Sequence, residues 1–265
     1  MPRVNRTAEE EEARREGGEF IESLDRGLRV LQSFGTEHRP MTLSDIAKTS
    51  NLSRATARRI LLTLQRAGFV AGDERLFSLT PRVLALASAY LSSNQIVAVM
   101  QPLMDEISTR AREVCSLAIL DGEEAVFIAR ASPARVFSAG IDIGYRLPAY
   151  CTSVGRVLLG RLSNDNLTSA IAAMTVIAHT PETVTDKSIV TATIISDRNK
   201  GYSLVDREAE PGFRSISVPI RRYDGTVVAA ANIGAHVDRI TTGEMIDRFL
   251  PLLKDMAATA KPLLV

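Results

Sequence analysis

Between Leu43 and Val70 two helical patterns stand on either side of a tight turn, and the second presents arginines along its outer side. Thr42 precedes the first pattern, with Asp45 three residues on. An oxygen side chain there accepts the free amides of a helix start, so the pair is a weaker relative of the capping box. Asn51-Leu52 make the turn. Ser53 then caps a longer helix whose inward positions are Ala57, Ile60, Leu61 and Leu64 and which Gly68 ends. A step of 100° per residue puts Thr56, Arg59, Thr63 and Arg66 on the opposite face, flanked by Arg54 and Arg58. A short helix, a turn and a second helix with a basic outer face is the arrangement that sets a recognition helix in the DNA major groove.

The flanking sequence completes this unit. From Phe20 the positions Ile21, Leu24, Leu28, Leu31 and Phe34 recur at helical spacing, with Gly35 as a stop. Phe69-Val70-Ala71 and Leu76–Leu79 are β-like runs around Gly72-Asp73-Glu74-Arg75, which predicts a hairpin wing with Arg75 at its tip. The whole chain of 265 residues carries a net charge of only +1, but Asn51–Arg82 holds six arginines against Asp73 and Glu74, a local +4. That stripe suits double-stranded DNA. Arg59 has the fork for guanine O6 and N7, Thr56 can hydrogen-bond a base or touch a thymine methyl, and Ser53 and Arg54 suit phosphates near the helix start.

Pro81 opens a further helical stretch through Leu84, Leu86, Ala87, Tyr90 and Leu91, and another helix is expected from about Val97 to Arg112. The remainder mixes β-rich runs (Val114–Leu120, Ala125–Ala129, Tyr202–Val205, Ser215–Ile220, Val227–Ile233) with helices near Val154–Leu162, Leu167–Met174, Ser188–Lys200 and Gly243–Ala260. The fold class is therefore α+β. The expected organisation is a disordered leader over 1–19, a winged helix-turn-helix domain over 20–82, a linker helix over 83–96 and a larger domain over 97–265. In the larger domain, residues 147–156 run from a loop into a helix, so the Thr152 and Ser153 hydroxyls and the first amides converge where an anion can settle. Arg146 and Arg156 are candidate counter-charges, and Arg130 and Arg214 further carboxylate partners. Simple capping by Thr152 and Ser153 is the alternative reading.

FIESLDRGLRVLQSFG followed by LSDIAKTSNLSRATARRILLTLQRAGFV resembles the DNA-binding domain of the IclR family of bacterial regulators. LPAYCTSVGRVLLG, GYSLVDREAEPGFRSISVPI and DGTVVAAANIGA resemble that family's effector-binding domain in the expected order, so the likeness spans about residues 20–262. The resemblance implies a GAF-like α/β effector domain, dimers or dimers of dimers, and a pocket walled by Leu147, Ser153, Val154, Asp206, Ser215, Asn232 and Gly234. Some members carry cysteine where Ser215 stands and serines where Asn232 and Gly234 stand, so the polar lining here departs from theirs. Within the family the chain is most similar to regulators of aromatic-acid breakdown through protocatechuate and β-ketoadipate. The implied partners are an operator and a small carboxylate effector.

Other classes fit less well. No run approaches the roughly 20 apolar residues that cross a bilayer, and the N-terminal residues lack the apolar core of a signal peptide, so the expectation is a cytoplasmic protein without a membrane partner. The two cysteines, Cys115 and Cys151, lack CxxC spacing, which argues against a disulfide framework or zinc finger. Cys151-Thr152-Ser153-Val154-Gly155 partly resembles a hydrolase nucleophile elbow, but a cysteine replaces its first glycine, and His38, His179 and His236 sit in no base motif. Those histidines and cysteines form no compact ligand set for a metal-responsive repressor. The expectation is no catalytic residue, no metal and no cofactor.

Overall fold

The computed structural model describes residues 20–35, 39–73, 75–133 and 142–265. The leader expected over 1–19, His38 and Glu74 lie outside the described residues. The chain divides into two compact units, 1–90 and 91–265. The division falls inside helix α4 (Leu84–Ser93), within the stretch read as a linker.

In the first unit, α1 (Glu22–Ser33), α2 (Leu43–Thr49) and α3 (Arg54–Arg66) enclose a core of Val30, Phe34, Met41, Ile46, Leu61, Val70 and Phe77. Thr42 and Asp45 form the full capping box. Asn51 turns the chain with φ 54° and Gly68 ends α3 with φ 78°, the left-handed conformation that asparagine and glycine adopt at least cost. The wing pairs β1 (Val70–Gly72) with β2 (Phe77–Leu79), and Met41 clamps it through two backbone bonds to Phe77 of 2.9 and 2.8 Å. Gly72 has no room for a side chain: a Cβ there would lie 2.3 Å from the Leu76 carbonyl oxygen.

Helix α1 forms where the apolar spacing predicts a helix. Its buried side is Val30, Ser33 and Phe34, whereas Ile21, Leu24 and Leu28 are 61%, 58% and 50% exposed. The apolar period is real, but periodicity alone does not say whether a stripe faces its own core or something else.

The second unit is a six-stranded antiparallel sheet in the order β5-β4-β3-β8-β7-β6. Its strands are β3 (Val114–Asp121), β4 (Glu124–Ala131), β5 (Arg146–Pro148), β6 (Ser203–Asp206), β7 (Phe213–Arg221) and β8 (Val227–His236). One face packs on α5 (Gln95–Ala111) and the C-terminal helix α9 (Leu250–Ala260), burying Cys115, Leu117, Ile216, Val218, Ala231 and Ile233 among others. The opposite face takes α6 (Ser153–Leu159), where Val154 and Leu158 meet Ala118, Phe127 and Ala230. Helices α7 (Asn164–Ala173) and α8 (Lys187–Lys200) then cover α6 with Leu167, Ile171, Val190 and Ile194.

The stretch before α6, expected as a loop, is instead the edge strand β5 followed by a 3₁₀ turn, Ala149–Cys151. Three residues ending in proline are too short to show a period, and proline is tolerated because the strand lies at the edge. Both cysteines are buried and free, Cys115 under α5 and α9 and Cys151 under α7 and α8. Burial pushes the Cys115 thiol up to about 12 and the Cys151 thiol up to about 11. Since the thiolate is the reactive form, the native protein is expected to react negligibly with a thiol reagent at pH 8 and to release two equivalents once unfolded. Fast labelling of either cysteine in the folded protein contradicts this packing.

Candidate functional site

The site in the first unit is built on α3. The Ser53 hydroxyl accepts the Thr56 amide at 3.2 Å and lies 2.9 Å from the Thr56 hydroxyl, so these two residues fix the helix start. Arg54, Arg58, Arg59 and Thr63 are exposed, with Ala57 and Leu61 buried beneath them, which is the facing that the sequence predicts. The Thr63 hydroxyl donates to the Arg59 carbonyl at 3.0 Å. Among the described residues, no ion pair engages Arg54, Arg59 or Arg66 of α3, or Arg75 of the wing. Arg82, counted in the basic stripe, is exposed but folds back onto its own unit. It donates to the Ala67 carbonyl at 2.9 Å and its guanidinium lies over the Phe69 ring, 5.7 Å from the centroid. Gln65, which sequence reasoning passed over, ties α3 to the wing through the Gly72 carbonyl at 3.1 Å.

The site in the second unit lies on the α6 side of the sheet. Register decides which side chains share it, because residues directly opposite in an antiparallel ladder point to the same face. One row runs Ser116, Asn232, Ser217, Ser203 across β3, β8, β7 and β6, and the next runs Val114, Gly234, Ser215, Val205. Ser153, fully buried on α6, meets the second row with its hydroxyl 2.7 Å from that of Ser215. Val154 and Leu147 join the apolar cluster beside it with Phe127. Leu147, Ser153, Val154, Ser215, Asn232 and Gly234 are thus brought to one face. Ser116 and Ser217 belong there too. Their only sequence signal was small polar residues recurring at alternate strand positions.

Asp206 does not join them. It pairs in register with Arg214, whose other neighbour is Ala235 of the α5–α9 core, so it points to the opposite face. There its carboxylate binds Arg214 at 3.0 Å, and Arg214 also donates to the Ile240 carbonyl at 2.8 Å. Thr152 is spent on its own backbone, accepting the Gly155 amide at 3.2 Å and donating to the Pro148 carbonyl at 3.0 Å, which is the capping reading.

The arginines considered as counter-charges are also engaged. Arg146 binds Asp121 at 2.8 Å and Glu124 at 2.6 Å, and Arg130 binds Asp142 at 3.0 Å. Arg156, 2% exposed, donates to the Tyr150 carbonyl at 2.9 Å and to Glu208 at 2.7 Å. Glu208 in turn accepts the Val184 amide at 3.2 Å. Beside it Gly155 lies so close to the 3₁₀ turn that a Cβ would stand 2.2 Å from the Ala149 carbonyl oxygen. Among the described residues, no three His, Cys, Asp or Glu side chains converge as a metal site.

A helix-turn-helix with a wing, joined to a sensor-like α/β unit with a buried polar face, defines a ligand-responsive transcriptional regulator. The comparisons agree. Residues 23–74 match the IclR helix-turn-helix domain and residues 88–261 the bacterial transcriptional regulator IclR C-terminal domain. The chain belongs to the IclR family. It is 41% identical over 236 residues to the Pca regulon regulatory protein of Pseudomonas putida, covering 89% of this chain and 81% of that one. A crystal structure from Rhodococcus sp. RHA1 superposes with a TM-score of 0.79 at 40% identity, over 91% of this chain and 97% of that one. The inducer-binding domain of Acinetobacter PobR, solved as a double mutant with 3-hydroxybenzoic acid, is 31% identical with a TM-score of 0.61, over 63% of this chain and 98% of that one.

Two outcomes follow from this geometry. Glu208→Ala leaves the Arg156 guanidinium buried without its charge partner and is expected to cost about 3–5 kcal/mol by denaturant unfolding. Arg59→Ala is expected to cost about 1–3 kcal/mol at the operator and to relax base preference, whereas Arg54→Ala weakens all sequences evenly. Binding titrations on operator and random duplexes separate these effects, and equal losses on both duplexes for both variants refute the assigned facing of α3.

Proposed function

We propose that this regulator is controlled by a small carboxylate of aromatic catabolism, in the protocatechuate and β-ketoadipate group, bound on the α6 side of the sheet. The observation that carries the reading is the polar face formed by buried Ser153 and Asn232 and half-buried Ser215 beside the apolar Leu147, Val154 and Phe127. A few placed polar groups in an apolar surround are what a small organic ligand requires. The likeness to the Pca regulon regulatory protein and to the PobR domain with 3-hydroxybenzoic acid supports the choice of chemistry. The chain acts by binding rather than turnover: Ser153 is bonded to another hydroxyl, not to a histidine base that would make it a nucleophile. A ligand shifts the DNA-bound population only if it favours one state of the protein over the other.

The protein reads its operator as a symmetric oligomer, since one recognition helix covers only a few base pairs. Leu84, Leu86 and Tyr90 are 64%, 61% and 45% exposed and supply an apolar surface for pairing, as does the Ile21, Leu24 and Leu28 stripe of α1. Sedimentation at micromolar concentration is expected to show a dimer or larger. A monomer that still binds its operator one-to-one refutes this.

Calorimetry with a panel of aromatic-pathway acids is expected to show binding to the wild type. Ser153→Phe is expected to abolish the effector response while leaving ligand-free operator binding intact, because α3 lies in the other unit. Folded, operator-binding protein that takes up none of the acids at millimolar concentration overturns the assignment.

A further inference from the structure

Two cavities of about 810 and 220 Å³ adjoin each other in the second unit, sharing Gly201, Pro219 and Arg221 in their walls. The larger is lined by Arg161, just past α6, by Arg198 in the last turn of α8 and by Arg221 at the end of β7, and the smaller adds Lys254 and Lys261. These five cations share the groove with one carboxylate, that of Asp197, which is engaged elsewhere. It is buried, accepts the Ser203 hydroxyl at 2.6 Å and pairs with Lys200 at 3.5 Å. Among the described residues, no ion pair engages any of the five. Gly160 and Gly201, which cap the ends of α6 and α8, also line the larger cavity. A helix end carries about half a negative charge, so the two together offset only about one of the positive charges in excess. The remaining charges repel one another, and short ties hold them in place. Arg198 donates to the Leu162 carbonyl at 2.8 Å and to the Asn164 side chain, and Arg221 donates to the Gly225 carbonyl at 2.8 Å. The Lys254 ammonium lies over the Tyr202 ring, 5.9 Å from its centroid. A guanidinium has more N–H donors than these ties use, so donors remain for a ligand.

We propose that this groove binds a small polyphosphate anion, free or as the phosphate chain of a nucleotide, at a site separate from the effector face. The forked guanidinium meets phosphate oxygens two at a time, and three such forks line one cavity. A monocarboxylate neutralises one of the excess charges, whereas a chain of phosphates meets several. The volume agrees, since about 810 Å³ is the size of a site for a whole small molecule and more than a lone phosphate fills. Because the helix ends here present carbonyls rather than amides, binding rests on the side chains and weakens as salt is added. The groove shares no lining residue with Leu147, Ser153, Val154, Ser215, Asn232 and Gly234, so it stands independently of the effector reading.

The test is calorimetry at low salt on the full chain with four probes: inorganic triphosphate, ATP, citrate and inorganic phosphate. Triphosphate, ATP or both are expected to bind at one per chain and more tightly than citrate or phosphate. Equal binding of the two assigns recognition to the phosphate chain alone, and tighter binding of ATP adds the nucleoside. Arg161→Gln is expected to weaken that binding on the order of ten-fold, the loss of charge-assisted hydrogen bonds. Arg110→Gln, on α5 and outside the groove, is expected to leave it unchanged. Arg161 is exposed and its side chain makes no hydrogen bond among the described residues, so its variant keeps the fold, which a thermal melt checks. Binding of none of the four at millimolar concentration overturns the inference, as does citrate binding as tightly as triphosphate. Binding that Arg161→Gln leaves intact places the anion elsewhere and overturns it too. If triphosphate does not bind and Arg161→Gln instead weakens binding of a random duplex ten-fold, the groove takes DNA and the small-anion inference falls.

Discussion

The second unit depends on how tightly the first turn of α6 is held to the 3₁₀ turn before it. Gly155 lets the helix backbone close on Ala149, and Arg156 then reaches back to the Tyr150 carbonyl while its other arm meets Glu208. A charge buried this deeply is tolerated only when it is paired and hydrogen-bonded. One guanidinium therefore ties together the 3₁₀ turn, α6 and the segment after β6, and Glu208 adds the Val184 amide. Tyr150 continues the anchor, its hydroxyl donating to the Ile177 carbonyl at 2.6 Å and accepting the Ile177 amide at 3.1 Å. With the helix fixed at this end, Ser153 is fixed as well.

The two faces of the sheet divide the work. The side under α5 and α9 holds the larger apolar cluster, with the Asp206–Arg214 pair at one strand end. The α6 side interrupts its apolar packing with serines, an asparagine and a glycine, which contribute less burial and leave a polar atom unmet. Proteins give up local stability in this way at sites that bind something else. That Asp206 and Arg214 pair on the other face shows the same division, since they brace a strand end against the Ile240 turn.

The first unit separates scaffold from surface within a single helix. Ala57 and Leu61 bury one side of α3, and Gln65 and the Met41 clamp hold the wing against it. The side chains of Arg54, Arg58, Arg59 and Arg66 remain outward, and positive charge so placed is what attracts DNA phosphates.

How much of this was legible in the sequence varies with the range of the interaction. Caps, turns and helix facing in the first unit are local: Thr42 with Asp45, Asn51, Ser53 and Gly68 act within a few residues, and the structure places them as the pattern predicts. The resemblance to the IclR family brought Leu147, Ser153, Val154, Ser215, Asn232 and Gly234 together, which no spacing along the chain could do. Local reading failed wherever a side chain's partner lies far away in sequence. Arg156 and Arg146 looked available because Glu208 and Glu124 are 52 and 22 residues distant, and Arg214 because strand register, not spacing, sets it beside Asp206. Asp206, which the resemblance put in the pocket, lies on the other face because strand register, set by pairing with β7, decides the direction of each side chain. The exposed stripe of α1 shows the same limit. The sequence by itself determined most of the secondary structure, the caps and the outward facing of the arginines on α3, because these depend on neighbours within a few residues. Only the tertiary structure decided which charges are already paired and which polar group is left unmet, because those depend on which strands lie side by side.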